Sequence, residues 1–349
     1  MALTGAVRHL FSHHILKPEK TPLENNVWGT EKSSGTFLSL FKSRLLSAKK
    51  YLNAPFEIRL HENKGLKNTT KEICNPKIEV KVVDSYPVFI KNKKAALVLN
   101  GDSAKLPIPN ESVDAIVTDP PYFDFIHYSE LSDFFYAWLQ LALKDSYNDF
   151  QKENSSHPGE VQSKKPAQFS IQLSRVFSEC FRVLKAQGLM VFSFHHSKHE
   201  AWLSLYQAIT DAHFLIVASH PVKAEMSVSK TKVATKNPIN IDAIIVCKKA
   251  IPPNNSNSPD EVWFKASKSY QHYCDRFWQM GKKLSNGDKY VIFSAQILVQ
   301  ASLANLDKEQ IQQWLEKAYH LDCSKNREKE PPDFNKKPPV IEQMNLPFN

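Results

Sequence analysis

The segment that most constrains the fold of this chain is a short apolar run followed directly by an acid, two prolines and an aromatic residue. Residues 113–118 read Val-Asp-Ala-Ile-Val-Thr, which is typical of a short buried strand. The run ends in Asp119-Pro120-Pro121-Tyr122, whose prolines have fixed φ angles and no backbone N–H group. In an open α/β sheet, ligands bind at the carboxyl ends of the strands. The sequence therefore predicts a strand over residues 113–118 with a binding site directly after it.

The residue types in this tetrapeptide suit chemistry on the exocyclic amine of a planar base. The carboxylate of Asp119 can accept a proton from the amine, and a carbonyl of the Pro-Pro segment can point at the amine without a competing N–H group. The ring of Tyr122 can stack on a base that has left its helix. The alternative interpretation is a strand that ends in a plain Pro-Pro turn with a capping acid.

Composition limits the class of protein. The 349 residues allow one large domain with an appendage, or two domains. A formal net charge of +9 favours a polyanionic partner such as nucleic acid. No apolar stretch approaches the ~18 residues that a membrane helix needs. We expect reduced thiols and a cytoplasmic location, because the cysteines are scattered and form no CxxC pair: Cys74, Cys180, Cys247, Cys274 and Cys323.

The order of the predicted elements indicates an α/β fold. Strands and helices alternate between residues 78 and 250, which predicts a mostly parallel sheet with flanking helices. Strands are expected within residues 78–100, a surface loop at 61–76, and a helix at 169–185 that stops near Gly188. The predicted domains are a loop-rich and helical lead segment (1–76), a subdomain with the Asp-Pro-Pro-Tyr motif (77–250), a small helical C-terminal appendage (251–322) and a disordered tail (323–349).

Several stretches together resemble one enzyme family. The run from Gly101-Asp102 through residues 106–118 to Asp-Pro-Pro-Tyr resembles the amino-methyltransferases that use S-adenosylmethionine. Residues 122–139, rich in aromatics, look like the large adenine-specific DNA methylases among them. Residues 14–30, 33–37 and 192–196 are also similar to that family, so that the resemblance covers roughly residues 10–250.

The resemblance implies roles for individual residues. Asp119 and the carbonyl of Pro120, with Pro121 shaping the turn, would hold the target amine, and Asp119 would also border the cofactor. Asp102, after Gly101, would contact the adenine or ribose part of S-adenosylmethionine. The reaction would be an in-line displacement, in which the enzyme mainly supplies proximity and an aligned lone pair. Contacts to DNA are expected from a further set of residues: Tyr122, Phe123, Lys230, Lys232 and Lys236.

One departure from the family concerns glycine. Family members grip the cofactor with a Gly-rich loop, whereas this chain has nine glycines and no GxG or GxGxxG pattern. The resemblance therefore implies a partial class I methyltransferase (Rossmann-like) sheet, which would expose an apolar edge. Either the strands of residues 78–100 fill that gap or a second polypeptide does, and we favour a second polypeptide.

Other residues are open to two interpretations. His195, His196 and His199 suit a rim at a strand end better than a metal site, since no cysteine or carboxylate completes a ligand set. The lysines of residues 223–236 can contact phosphates or lie on a solvated loop. Two functional alternatives also remain, namely an RNA amino-methyltransferase and a non-catalytic subunit that binds nucleic acid or a partner.

Overall fold

The computed structural model describes residues 37–63, 66–73, 79–123, 128–157, 159–224, 238–249 and 258–320. The chain divides into two compact units. One consists of Met1–Asn100 and Tyr128–Ser156, and the other of Gly101–His127 and His157–Asn349. The predicted tail (323–349) and most of the lead segment lie outside the described residues.

The first unit contains both helices and strands, most of them short. Its strands form two small sheets, since β1 pairs antiparallel with β2, and β3 pairs parallel with β4. The elements are α1 (Phe37–Leu40), a π-helical segment (Phe41–Leu46), α2 (Ser47–Asn53), β1 (Phe56–Asn63), β2 (Leu66–Ile73), β3 (Lys81–Val83), α3 (Tyr86–Phe89), β4 (Ala95–Leu97), α4 (Tyr128–Leu143) and a 3-10 turn (Asn148–Phe150).

Two predictions for this unit were wrong. Residues 61–63 and 66–73, which were expected to lie in a surface loop at 61–76, instead belong to β1 and β2, which are separated by two residues. Such a short connection is a hairpin signal that outweighs the polar composition of the strands. Residues 86–89 form α3 rather than a strand, because Pro87 lies in the first turn, where its fixed φ favours a helix.

The second unit is built around a four-stranded sheet in the order β5-β6-β8-β7. β5 runs parallel to β6, whereas β8 is antiparallel to both of its neighbours. The elements are β5 (Val113–Thr118), α5 (Pro166–Val183), β6 (Leu184–Phe194), α6 (His199–Asp211), β7 (Phe214–Lys223), β8 (Ile241–Lys249), α7 (Pro259–Gln279), α8 (Asn286–Ala304) and α9 (Lys308–His320).

The fold is thus mixed α/β, but this sheet is less parallel than predicted. The sequence predicted a mostly parallel sheet, whereas β8 pairs antiparallel with both β6 and β7. Helices connect β5 to β6 and β6 to β7, with β8 inserted between the latter two strands. Among the described residues, β5 pairs only with β6 and is therefore an edge strand.

The sequence had suggested that Gly188 stops a helix. In the structure it lies inside β6 instead. Helix α5 ends at Val183, and β6 begins at Leu184. A Cβ atom on Gly188 would lie 2.5 Å from Cδ1 of Leu184 and 2.8 Å from the backbone oxygen of Asp114. The glycine therefore permits the close approach of β5 and β6 where their pairing is irregular.

The C-terminal helices share the core of the sheet, although the sequence placed them in an appendage. Helix α8 packs against β7 and β8, and residues on most of its sides are buried, as an apolar helix requires. Two of its polar side chains bond to the sheet's backbone. Ser302 Oγ accepts from the N–H of Ile216, and Gln296 Nε2 donates to the carbonyl of Ser219. Residues 258–320 are therefore part of the layer that covers this sheet.

In the part of the chain that the structure describes, no helix is both long and apolar enough to cross a membrane.

Candidate active site at the carboxyl end of β5

Topology brings the ends of three strands to one edge of the sheet. β5 and β6 are parallel, so their carboxyl ends meet there, and the antiparallel β8 begins at the same edge. Asp119 follows β5, His195 follows β6, and Asp242 is the second residue of β8. The last register pair of β5 and β6 is Thr118 with Phe192, so β6 extends beyond β5 alongside Asp119.

Asp119 is exposed and is held by two hydroxyl groups. The hydroxyl of Tyr122 donates to its Oδ1 at 2.8 Å, and Ser193 Oγ donates to the same oxygen. The oxygens of the two hydroxyl groups are 2.7 Å apart. Among the described residues, Oδ2 of Asp119 has no hydrogen-bond partner. One carboxylate oxygen is therefore fixed, and the other is available as an acceptor.

The Pro-Pro segment creates an unusual backbone path. Pro120 is buried, and no N–H or hydroxyl group of the described residues donates to its carbonyl. Phe123 then adopts a left-handed conformation, with φ of 49°. Such a φ is uncommon for a bulky residue and is found where the surroundings impose it, often at functional sites.

The sequence predicted that Phe123 contacts nucleic acid, but its position in the structure does not place it there. Its side chain is only 4% exposed and packs edge-to-face on Phe169, with ring centroids 5.4 Å apart. On another side its ring meets that of His196 at 5.6 Å. The left-handed backbone thus turns this aromatic residue into the core and stabilises the end of the motif.

The ring of Tyr122 is half-buried between two aromatic neighbours. It lies edge-to-face with His195 at 4.8 Å and with Phe194 at 5.4 Å between centroids. Burial raises the pKa of the Tyr122 phenol well above its ordinary value, and its bond to Asp119 adds to this increase. The hydroxyl consequently stays protonated at neutral pH and acts as a hydrogen-bond donor.

The three histidines near the end of β6 differ in their surroundings. Nδ1 of His195 lies 2.5 Å from Oδ1 of Asp242, an acid that the sequence had not marked because it is distant in the chain. His196 is buried, and burial lowers its pKa to about 4. His199 lies 3.5 Å from Glu316 on α9. Within the described ranges, no group of three or more His, Cys, Asp or Glu residues could hold a metal ion.

The predicted cofactor residues lie in a turn that follows β4 in the chain. Oδ1 of Asp102 accepts the N–H of Ala104 at 2.8 Å, so this carboxylate caps its own turn. No atom lies within 4 Å of the position a Cβ on Gly101 would take. A cavity of about 540 Å³ is lined by residues on α6 and α9: His199, Gln313, Glu316, Lys317 and Tyr319. Neither Gly101 nor Asp102 lines this cavity.

The lysines predicted to contact phosphates, Lys230, Lys232 and Lys236, lie outside the described residues. The residues just before β8 are held by the N-terminal end of α8. Ser285 Oγ donates to the carbonyl of Pro238 at 2.5 Å, and the N–H of Asn240 donates to Oδ1 of Asp288 at 2.5 Å. This start of β8, next to Asp242, is therefore firmly anchored.

Ser193 is a second residue of this site, besides Asp242, that the sequence did not reveal. A polar side chain between Phe192 and Phe194, which are 1% and 0% exposed, is the signal that could have identified it. Because side chains alternate along a strand, this serine faces away from the core side of β6 and towards Asp119.

No protein-family model and no curated protein matches the chain. Among solved structures, the chain is similar to the "PvuII DNA methyltransferase (cytosine-N4-specific)" with a TM-score of 0.31 and 12% sequence identity, over 69% of this chain and 94% of that one. A TM-score this low is below what chains with a common fold reach, so the description of the fold stays with the chain's own strand order.

Proposed function

We propose that this chain is the base-binding part of an S-adenosylmethionine-dependent DNA amino-methyltransferase that acts on adenine. The observation that carries the proposal is the exposed Asp119 carboxylate, fixed through Oδ1 at the carboxyl end of a parallel strand. Such an edge is where α/β proteins bind ligands. The cofactor would supply the methyl group.

Residues of the motif hold the nucleophile in this proposal. Oδ2 of Asp119 and the carbonyl of Pro120 accept the two N–H groups of the exocyclic amine, which directs the nitrogen lone pair out of that plane. Positioning of this kind lowers the barrier by removing the entropy cost of bringing the reactants together. No strong base is required, because the proton leaves after the nitrogen has become cationic.

Nucleic acid is the proposed partner on grounds of charge and chemistry. A net charge of +9 attracts a polyanion, and Lys230, Lys232 and Lys236 would add phosphate contacts. Tyr122 would meet the flipped base with the exposed part of its ring, while its hydroxyl stays on Asp119. Methylation of RNA is the second candidate, because the motif binds an amine and does not distinguish the sugar.

A second polypeptide is part of the proposal. In the described residues, β5 is an edge strand whose Val117 is 83% exposed, and no Gly-rich loop lies beside it. In the first unit, taken by itself, many large hydrophobic side chains are also exposed, among them Val82, Ile90 and Val98. Exposed apolar surface of this extent is typical of protein interfaces. The partner would supply the missing grip on the cofactor.

The proposal is tested by measuring transfer of labelled methyl groups from S-adenosylmethionine to DNA and to RNA. The chain is assayed alone and co-expressed with the product of the adjacent gene. We expect transfer to DNA by the pair and none by the chain alone. Transfer by the isolated chain would disprove the need for a partner. If neither preparation binds the cofactor or transfers a methyl group, the non-catalytic alternative is correct.

A further inference from the structure

Ser193 occupies a distinctive position in the sheet. It follows Phe192, the last β6 residue in register with β5, and therefore lies level with Asp119. Its neighbours Phe192 and Phe194 are buried on the opposite side of the strand, where Phe194 packs edge-to-face on Trp202 at 5.0 Å. The backbone of β6 is thus locked by its own core contacts, and Ser193 projects from a rigid strand.

Ser193 connects Asp119 and Tyr122 of the motif through its hydroxyl group. Three short contacts join Asp119, Tyr122 and Ser193, yet the two hydroxyl groups have one proton each. In the possible arrangements both hydroxyls donate to Asp119, or one donates to the other, which then donates to Asp119. In every arrangement, at least one hydroxyl group donates a hydrogen bond to Oδ1 of Asp119. Hydrogen bonds to an ionised carboxylate are stronger than those between neutral groups.

We propose that Ser193 is a positioning residue that holds Asp119 through Oδ1 and so presents Oδ2 to the target amine; this inference rests on the proposed function. An exposed aspartate without such contacts rotates about its side-chain bonds and exchanges its two oxygens. The Ser193 hydroxyl, on a rigid strand, selects one orientation before the base arrives. Preorganised acceptors of this kind raise the rate of reaction without strengthening substrate binding.

The test compares three serine variants. Ser193→Ala removes the hydroxyl, Ser193→Thr retains a hydroxyl on a residue that suits a strand, and Ser197→Ala is the control at an exposed serine nearby. Each variant is assayed for methyl transfer with the partner present. We expect Ser193→Ala to lower kcat about tenfold, which corresponds to about 1.4 kcal/mol, with KM for DNA unchanged. Ser193→Thr should restore kcat to within about twofold.

A second readout is independent of activity. The chain is labelled with tyrosine carrying ¹³C at Cζ, and the Tyr122 signal is assigned by its loss in Tyr122→Phe. We expect Ser193→Ala to shift this signal, and Ser193→Thr and Ser197→Ala to leave it close to its wild-type position. Circular dichroism confirms that the variants are folded.

The outcomes separate the two proposals. Unchanged kcat in Ser193→Ala, or an equal loss in Ser193→Thr, overturns the positioning role. An unshifted Tyr122 signal in Ser193→Ala overturns the hydrogen-bonded network itself. If wild-type protein transfers no methyl group, the proposed function and the catalytic role of Ser193 fail together, whereas the NMR signal still decides whether Ser193 holds the motif.

Discussion

The hydroxyl oxygens of Tyr122 and Ser193 lie 2.7 Å apart, although the two residues belong to different strand ends. Both also bond to Oδ1 of Asp119, which ties the Asp-Pro-Pro-Tyr motif to β6. The hydroxyl of Tyr122 and its ring therefore have separate roles. The hydroxyl fixes the acid, and the ring packs edge-to-face against that of His195.

Replacing Tyr122 by phenylalanine separates these roles. Tyr122→Phe keeps the ring and removes a hydroxyl that donates to Asp119, while Ser193 still donates. We expect the free energy of unfolding to fall by about 1 kcal/mol, as for loss of one hydrogen bond. DNA affinity should be retained. Tyr122→Ala should lose DNA affinity as well. Urea denaturation and fluorescence anisotropy with labelled DNA measure the two effects, and equal affinity of both variants would exclude stacking by the ring.

His196 predicts a loss of stability in mild acid. Burial, aided by the charges of Lys198 and His195, lowers its pKa to about 4, so the folded state favours the neutral imidazole. Its contribution is fully present above the ordinary histidine pKa of ~6.5 and is lost as the pH falls towards 4, by at most about 3 kcal/mol. His196→Asn, which can still accept the N–H of Lys198, should flatten the pH dependence of the unfolding free energy in this window.

The matched control for this experiment is His272→Asn, at an exposed position on α7. It should follow the wild-type pH profile. A His196→Asn profile that is as steep as that of the wild type would show that other groups cause the acid sensitivity.

From the close packing around Gly188, we predict that the stability of the protein depends strongly on side-chain size at this position. An added Cβ would meet the side chain of Leu184, which is 0% exposed, and a backbone atom of Asp114, neither of which has room to move. Gly188→Ala should therefore destabilise the protein by about 1–3 kcal/mol, the range for overpacking. Gly101→Ala, where nothing lies within 4 Å, should leave the urea midpoint unchanged. Similar midpoints for both variants would contradict the described packing of β5 on β6.

Arg182 anchors the segment that leads into β5. Its guanidinium bonds to both carboxylate oxygens of Glu179, to the carbonyl of Leu106 and to Oδ1 of Asn110. Arg182→Ala should destabilise the protein by about 1–3 kcal/mol, because it removes charged hydrogen bonds and leaves Glu179 with the N–H of Leu106 alone. The urea midpoint measures the loss. Arg175→Ala, exposed on the same helix, is the control, and an equal effect of both would contradict this role.

The bond to Arg182 also holds the pKa of Glu179 below its ordinary value. This interaction therefore stabilises the fold above that ordinary pKa and is lost as the pH falls through the lowered one.

The sequence predicted local features of the fold better than contacts between distant segments. The apolar run of residues 113–118 and the helix at 169–185 were found at nearly their observed positions, because each has a clear hydrophobic period. The polar hairpin β1–β2 was missed because its composition is that of a loop. The buried position of α8 was also missed, although its apolar character on all sides is a signal of the core.

The same difference between local features and distant contacts holds for the residues of the site. Asp119 and Tyr122 were identified from their own motif, whereas Ser193 and Asp242 come from β6 and β8 and become neighbours only through strand order. The burial of Phe123 could not be predicted either, because it depends on one left-handed backbone angle.

Methyl transfer by an Asp119 variant tests the central claim most directly. The chain and its partner are assayed with labelled S-adenosylmethionine and DNA as wild type, Asp119→Ala and Asp114→Ala. Asp114 is a matched control on β5, since its exposed side chain forms an ion pair with Lys185 at the surface. We predict that transfer falls to background in Asp119→Ala and stays within about twofold of wild type in Asp114→Ala, as for loss of a surface ion pair. Transfer by Asp119→Ala at the wild-type rate would contradict the account.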